Sequence, residues 1–121
     1  MSASDLAARH ARLVQEGDAD AVADLYAPDG QLVWLDGVSD GRDAVRDRYR
    51  QFFEYHGRIS SAEPTHQQTT DDAAFNMLKV TSERGTFQIV NAFVFDGDHV
   101  ARHFSNETEV DLNRDEVERQ A

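Results

Sequence analysis

Apolar residues recur at helical spacing along the first half of the chain and alternate along the second. Leu6, Leu13 and Val14 share one helical stripe, and His10 stands on it four residues after Leu6. Ser4 and Asp5 can cap this first helix, which runs to about Glu16 and stops at Gly17. Asp18 caps a second, shorter helix with Val22, Leu25 and Tyr26 inward. Pro28 and Asp29-Gly30 mark a turn, and Gln31 to Leu35 reads as a short strand. Ser39, Asp40 and Gly41 open a third helix, Arg42 to about His56, with Val45, Tyr49, Phe52, Phe53 and His56 on one wide stripe. After Gly57 the period becomes two. Ile59–Thr69 is a long polar strand whose Pro64 predicts an edge or a bulge. Ala73–Ser82 and Thr86–Phe95 flank a hairpin turn at Glu83-Arg84-Gly85, and a second hairpin at Asp96-Gly97 continues to about Thr108. Helices followed by four consecutive antiparallel strands predict an α+β domain. Strand Thr86–Phe95 is apolar on both faces, Phe87, Ile89, Phe93 and Phe95 on one and Val90, Ala92 and Val94 on the other. Helices cover one face; a second copy of the chain is expected on the other, giving a homodimer through the sheet.

Length and composition narrow this picture. The chain has 121 residues, enough for one domain with a real core, expected to span 1–121 with its core at about 4–108 and a charged, frayed helical tail at 111–121. It contains no cysteine, which excludes disulfides, thiolate nucleophiles and Cys-ligated metals. No apolar run is long enough to span a membrane, and the first residues lack the apolar stretch of a signal peptide, so a cytoplasmic location is expected. A net charge of −11 argues against nucleic acid as a partner. Lys79 is the single lysine against eleven arginines. That balance suits a salt-rich host, where screening relieves self-repulsion, and equally a GC-rich genome that favours arginine codons.

Candidate chemistry sits where the apolar pattern is interrupted. His10 is polar and titratable on an apolar helix face, as general acid–base work requires. Asn91 is the lone polar residue in phase with Phe87, Ile89, Phe93 and Phe95, placed to orient a ligand carbonyl or hydroxyl. The second hairpin decides which further residue joins them. A two-residue turn at Asp96-Gly97 sets Arg102 opposite Asn91; a three-residue loop with a bulge puts Ala101, His103 and Ser105 on the Asn91 face, and packing slightly favours the latter. Trp34, Tyr49, Phe52, Phe53, Phe75, Phe87 and Phe93 are the expected aromatic lining, with Tyr26 and Tyr55 as weaker candidates and His66 and Gln68 at the rim. His99 and His103 lie roughly 13 Å apart on one strand, too far to share an ion. Metal, phosphate-loop, dinucleotide and nucleophile-elbow motifs are absent from the sequence, so chemistry without cofactor or metal is the expectation.

Three segments, EGDADAVADLYAPDGQLVW, SDGRDAVRDRYRQFF and VNAFVFDGDHVARHF, in this order and spacing, resemble the nuclear transport factor 2-like (NTF2-like) superfamily, especially its SnoaL-like and ketosteroid isomerase-like members. The resemblance covers about residues 4 to 108. It implies a cone, with a bent cystatin-like sheet wrapped around a long helix and a pocket at the open end. The isomerase pattern has a helix-1 Tyr, a strand-end Asp base and a hairpin acid. These positions fall at His10, Trp34 and Asn91, with Asp36 two residues beyond Trp34. None matches in type, so the isomerase activity is not carried over, and Asp36 serves as base only if the loop register differs by two. The resemblance implies cofactor-independent proton transfer on an apolar cyclic or carbonyl-bearing small molecule. His10 is then general acid or base, His103 or Asp36 assists and Asn91 orients. The alternative is a non-catalytic ligand-binding or dimerisation module of the same fold.

Overall fold

A computed structural model describes residues 1–109. The expected tail helix, 111–121, lies outside the described residues. Three helices, α1 (Ala3–Glu16), α2 (Ala19–Asp24) and α3 (Arg42–His56), pack on a sheet of six strands. The strands are β1 (Tyr26–Trp34), β2 (Gly37–Asp40), β3 (Ile59–Thr69), β4 (Ala73–Ser82), β5 (Gly85–Asp96) and β6 (His99–Glu109), in the order β2-β1-β6-β5-β4-β3. Neighbours are antiparallel except β1 and β6, which run parallel. This is the expected α+β cone. Among the described residues, no helix is long and apolar enough to cross a membrane.

Local chemistry explains the elements and several departures from the sequence reading. The N-cap of α1 is Ser2, not Ser4 or Asp5. Ser2 and Asp5 form a reciprocal capping box, each side chain accepting from the other's backbone N–H. Gly17 closes the helix at φ 72°, a left-handed conformation glycine adopts without strain. Tyr26 does not belong to α2. The helix ends at Asp24, and Tyr26 opens β1, which is nine residues long rather than the five of Gln31–Leu35. A side chain at Gly30 would place its Cβ 2.8 Å from the Val100 carbonyl, so glycine permits the close passage of β1 over β6. β2, a four-residue strand unforeseen in the sequence, pairs back onto β1 through the turn at Leu35 and Asp36.

β3 is the edge strand expected from its proline, and its register slips beside Pro64. The β5–β6 hairpin follows neither sequence alternative completely. Asp96 pairs with His99 across a two-residue turn at Gly97 and Asp98, and the extra residue, Ala101, bulges out of β6 further along. Val100 and His103 therefore both point inward, at 0% and 1% exposure, while Arg102 faces solvent. Phe93 pairs with His103 and Asn91 with Ser105.

The core lies between the inner sheet face and the stripes of α1 and α3. Leu6, Val14, Val45, Leu78, Val80, Phe93 and Val100 are fully enclosed there. Burying side chains of this size stabilises by about 1.5–3 kcal/mol each.

Candidate functional site

A cavity of about 270 Å³ opens between α1, α3 and the inner faces of β1, β5 and β6. Val14, Leu32, Trp34, Phe52 and Ile89 form its apolar walls. Its buried end carries His10, Tyr49 and Asn91, with half-buried Ser105 beside them. Its exposed mouth carries Leu35, Asp36, Asn106 and Glu107. Arg48, also in the wall, lies with its guanidinium 4.9 Å over the Trp34 ring and 4.0 Å from Glu107, so the positive charge is fixed at the mouth.

Behind the buried end, polar side chains form a continuous chain. His10 Nε2 meets the Tyr49 hydroxyl at 2.8 Å, and that hydroxyl meets Tyr26 Oη at 3.1 Å. Tyr26 Oη lies 2.6 Å from His103 Nδ1, and His103 Nε2 lies 2.6 Å from Asn91 Oδ1. Ser105 Oγ donates to the same Asn91 oxygen, and Asn91 Nδ2 donates to Asn76 Oδ1 at 3.0 Å. Phe93 stacks on His103 with centroids 4.1 Å apart and meets His10 edge-on, sealing the chain from below. Six different elements, α1, β1, α3, β4, β5 and β6, contribute to it.

The chain is electrically neutral. Burial pushes the His10 imidazole down to about 3. Burial, followed by the proximity of His10, drives His103 well below the ordinary histidine value. Burial also raises the phenols of Tyr49 and Tyr26, the latter helped by Tyr49 beside it. A charge placed there would lose its water, and for Tyr49 that burial outweighs the help of the Arg48 guanidinium, so imidazoles and phenols stay uncharged. His10, expected from the sequence as a titratable group for general acid–base work, is instead held neutral well below the ordinary histidine range.

His10, Asn91, Asp36, Trp34, Tyr49 and Phe52 all line the cavity. His103 stands one step behind it, bonded to Asn91. Phe93 supports the polar chain from the core instead of lining the space. Phe53 packs beside Tyr49 and Phe52 at the edge of the core, outside the cavity. Phe87 stacks on His56 at 4.3 Å in a neighbouring groove, where Tyr55 is also found. Phe75 is misplaced altogether: β4 alternation turns it to the outer face of the sheet, 48% exposed. His66 and Gln68 are exposed on the edge strand and do not reach the cavity mouth. The sequence reading missed Asn76, Arg48 and Glu107. Asn76 carries the same signal as Asn91, a polar residue in phase with Ala74, Leu78 and Val80. Arg48 is four residues before Phe52 on the same helix face. Among the described residues no three His, Asp or Glu side chains gather as a metal site requires.

A cone of helices on a curved sheet, with a partly apolar cavity that has a polar inner end, is the architecture of the NTF2-like class. The model of the SnoaL-like domain family matches residues 7–111, and the chain belongs to that family. Solved structures agree on the fold. An uncharacterised cystatin-fold protein from Novosphingobium aromaticivorans superimposes with a TM-score of 0.75 at 19% identity, covering 87% of this chain and 97% of its own. A candidate polyketide cyclase from Sinorhizobium meliloti gives 0.71 at 19% identity, with 84% and 93% coverage. A protein with a ketosteroid isomerase-like fold from Catenulispora acidiphila, solved with trimethylamine, gives 0.70 at 11% identity, with 83% and 82% coverage. At these identities the likeness concerns the fold alone. No curated protein sequence matches the chain.

Proposed function

We propose that the chain is a SnoaL-like enzyme that moves a proton, without a cofactor, on a compact apolar molecule bearing a ring or a carbonyl. One observation carries this reading: a single cavity joins apolar walls to a neutral, hydrogen-bonding inner end and a carboxylate-bearing mouth. The division of labour differs from the one expected. A histidine held down to about 3 is a weak proton acceptor at neutral pH, so His10 and Asn91 hold the polar group of the substrate. Asp36, at the mouth, takes the proton, and Arg48 beside Trp34 supports negative charge that develops there.

Native mass spectrometry of freshly purified protein, followed by turnover assays on the molecules it carries, tests this. Asp36→Asn should abolish turnover and leave binding intact. Turnover that survives the substitution removes Asp36 from the mechanism. The second reading, a binding module without turnover, is favoured by the neutrality of the inner end, which can hold a ligand without transforming it.

We propose further that two copies pair through the outer sheet face. Phe75, Ala92 and Phe104 form one cross-strand row there, and Phe75 and Phe104 are about half exposed.

A further inference from the structure

Cavity and neighbouring groove meet at one wall. Arg48, Phe52 and Glu107 line both the cavity of about 270 Å³ and the groove of about 840 Å³ beside it. The cavity alone is small beside ordinary ligand pockets, which run from about 300 to 1,000 Å³. An aromatic floor continues past the wall. Phe52 lies 4.6 Å from His56, and His56 stacks on Phe87 at 4.3 Å, all three buried.

The charge of the groove runs against that of the chain. The protein carries −11, yet two guanidiniums, Arg48 and Arg84, face the groove against one carboxylate, Glu107. Each guanidinium lies on an aromatic ring, Arg48 at 4.9 Å over Trp34 and Arg84 at 4.0 Å over Tyr55. A ring face holds a guanidinium by its plane and leaves the N–H groups at its edge unspent. The other arginines of α3 spend theirs on the protein: Arg42 donates to the Tyr26 carbonyl, Arg46 to Asp43 and Arg50 to Asp20. Among the described residues, Arg48 meets only Glu107, at 4.0 Å, and the Arg84 side chain meets no acceptor. Arg84 is also held at its backbone. Its N–H donates to Ser82 Oγ, the Ser82 hydroxyl donates to the Gly85 carbonyl, and the Glu83 N–H donates to the Arg58 carbonyl.

We infer that the groove is an anion subsite: a ligand whose ring system fills the cavity continues past Phe52 and ends in a carboxylate that pairs with Arg84, with Arg48 at the threshold. The inference rests on the small-molecule pocket reading and names its ligand class, an amphipathic carboxylic acid. The edge of a guanidinium matches the two oxygens of a carboxylate. Two cations against one anion leave a single positive charge, which a carboxylate neutralises. A phosphate dianion would exceed it and be repelled by Glu107.

Calorimetric titration at neutral pH with naphthylacetate, naphthylpropanoate and naphthylbutanoate, each against its carboxamide, tests this on the intact protein. The series varies the tether and keeps the ring. The net charge of the protein alone would favour the neutral amides, so the expected sign is opposite to the background: the best acid should bind about tenfold tighter than its amide. Arg84→Gln, on an exposed turn, should bring that acid down to the level of its amide. Proton–nitrogen NMR of ¹⁵N-arginine-labelled protein locates the contact. The Arg84 Nε–H signal, assigned by its loss in Arg84→Gln, should shift with the acid and stay in place with the amide. Amides that bind as tightly as the acids or tighter overturn the anion subsite and leave the pocket reading standing. A preference for the acid that survives Arg84→Gln, or an Arg84 signal that ignores the bound acid, overturns the assignment to this groove. If neither acids nor amides bind, the pocket reading itself fails and the subsite falls with it.

Discussion

The two faces of β4, β5 and β6 break the same rule in opposite directions. The inner face buries Asn76, Asn91 and His103 among Leu78, Ile89 and Phe93. The outer face, one residue along each strand, exposes Phe75, Val94 and Phe104. Stability alone would exchange them, placing apolar groups inside and polar groups outside. Polar groups are retained inside where a site needs hydrogen bonds of fixed direction, and apolar groups outside where a surface is to be covered. The inner inversion is held by bonds within the chain; the outer one depends on what covers it. Substitution and solvent conditions separate the two.

Acid has the largest expected effect, and it acts through the inner face. His10 is held near 3 when folded, and an unfolded histidine titrates near 6.5. Below about 6.5 the unfolded chain takes up protons that the folded one refuses, so stability falls with pH until the folded imidazole also protonates near 3. His103 shifts in the same direction. His10 contributes a slope of about 1.4 kcal/mol per pH unit within that window, His103 acts in the same sense, and the stability is fully present above it. Urea unfolding between pH 7.5 and 4.5 measures this. His10→Gln should flatten the slope by about 1.4 kcal/mol per pH unit.

Asn91→Leu comes next. Sequence reasoning suggests that an apolar residue there keeps the fold and even stabilises it, since its neighbours on the strand are apolar. The observed bonds reverse the sign. Leucine would strand His103 Nε2–H, the Ser105 hydroxyl and Asn76 Oδ1 together. A loss of about 2–4 kcal/mol is expected in chemical denaturation, partly recovered in the double substitution Asn76→Leu/Asn91→Leu, which removes one of the stranded partners.

The contrast also explains what the sequence discloses. His10 and Asn91 are legible because each is polar on an otherwise apolar period, and Asn76 carries the same signal unread. Alternation along β4 places Phe75 outside, although its aromatic character suggests the core. Tyr26 continues the apolar stripe of α2, and only the strand pairing with β6 reveals that the helix has already ended. That parallel pairing joins residues more than seventy positions apart, and no local period encodes it. β2 is four residues long, too short for an alternating pattern to register. The bulge at Ala101 turns both Val100 and His103 inward, which no unbroken alternation permits.

Phe104→Asp probes the outer face. Phe104 is 46% exposed, so the fold of one chain should lose less than about 1 kcal/mol. A dimer joined there should dissociate, shifting elution on size-exclusion chromatography to the monomer position and making the wild-type melting temperature, but not that of the variant, rise with protein concentration. An elution volume identical to that of the wild type removes the sheet from the interface.

Salt has the smallest expected effect, and it separates the two faces once more. The net charge is −11, and the acidic side chains whose burial is described are exposed, where mobile ions reach them. Raising potassium chloride from low to molar concentration should relieve that repulsion and lift the melting temperature at pH 7.5 by a few degrees, equivalent to about 1 kcal/mol. The ion pairs of Arg46 and Arg50 with Asp20, Asp24, Asp43 and Asp47 weaken under the same screening and oppose part of the gain. The imidazoles of the inner face are shielded from ions, so their acid-dependent loss of stability should keep its slope at every salt concentration. A rise with salt together with an unchanged pH slope identifies the acidic surface as salt-adapted and the inner network as sealed. A flat salt response leaves arginine-rich codon usage as the account of the charge balance, and a pH slope that shrinks with salt shows that ions reach the buried histidines.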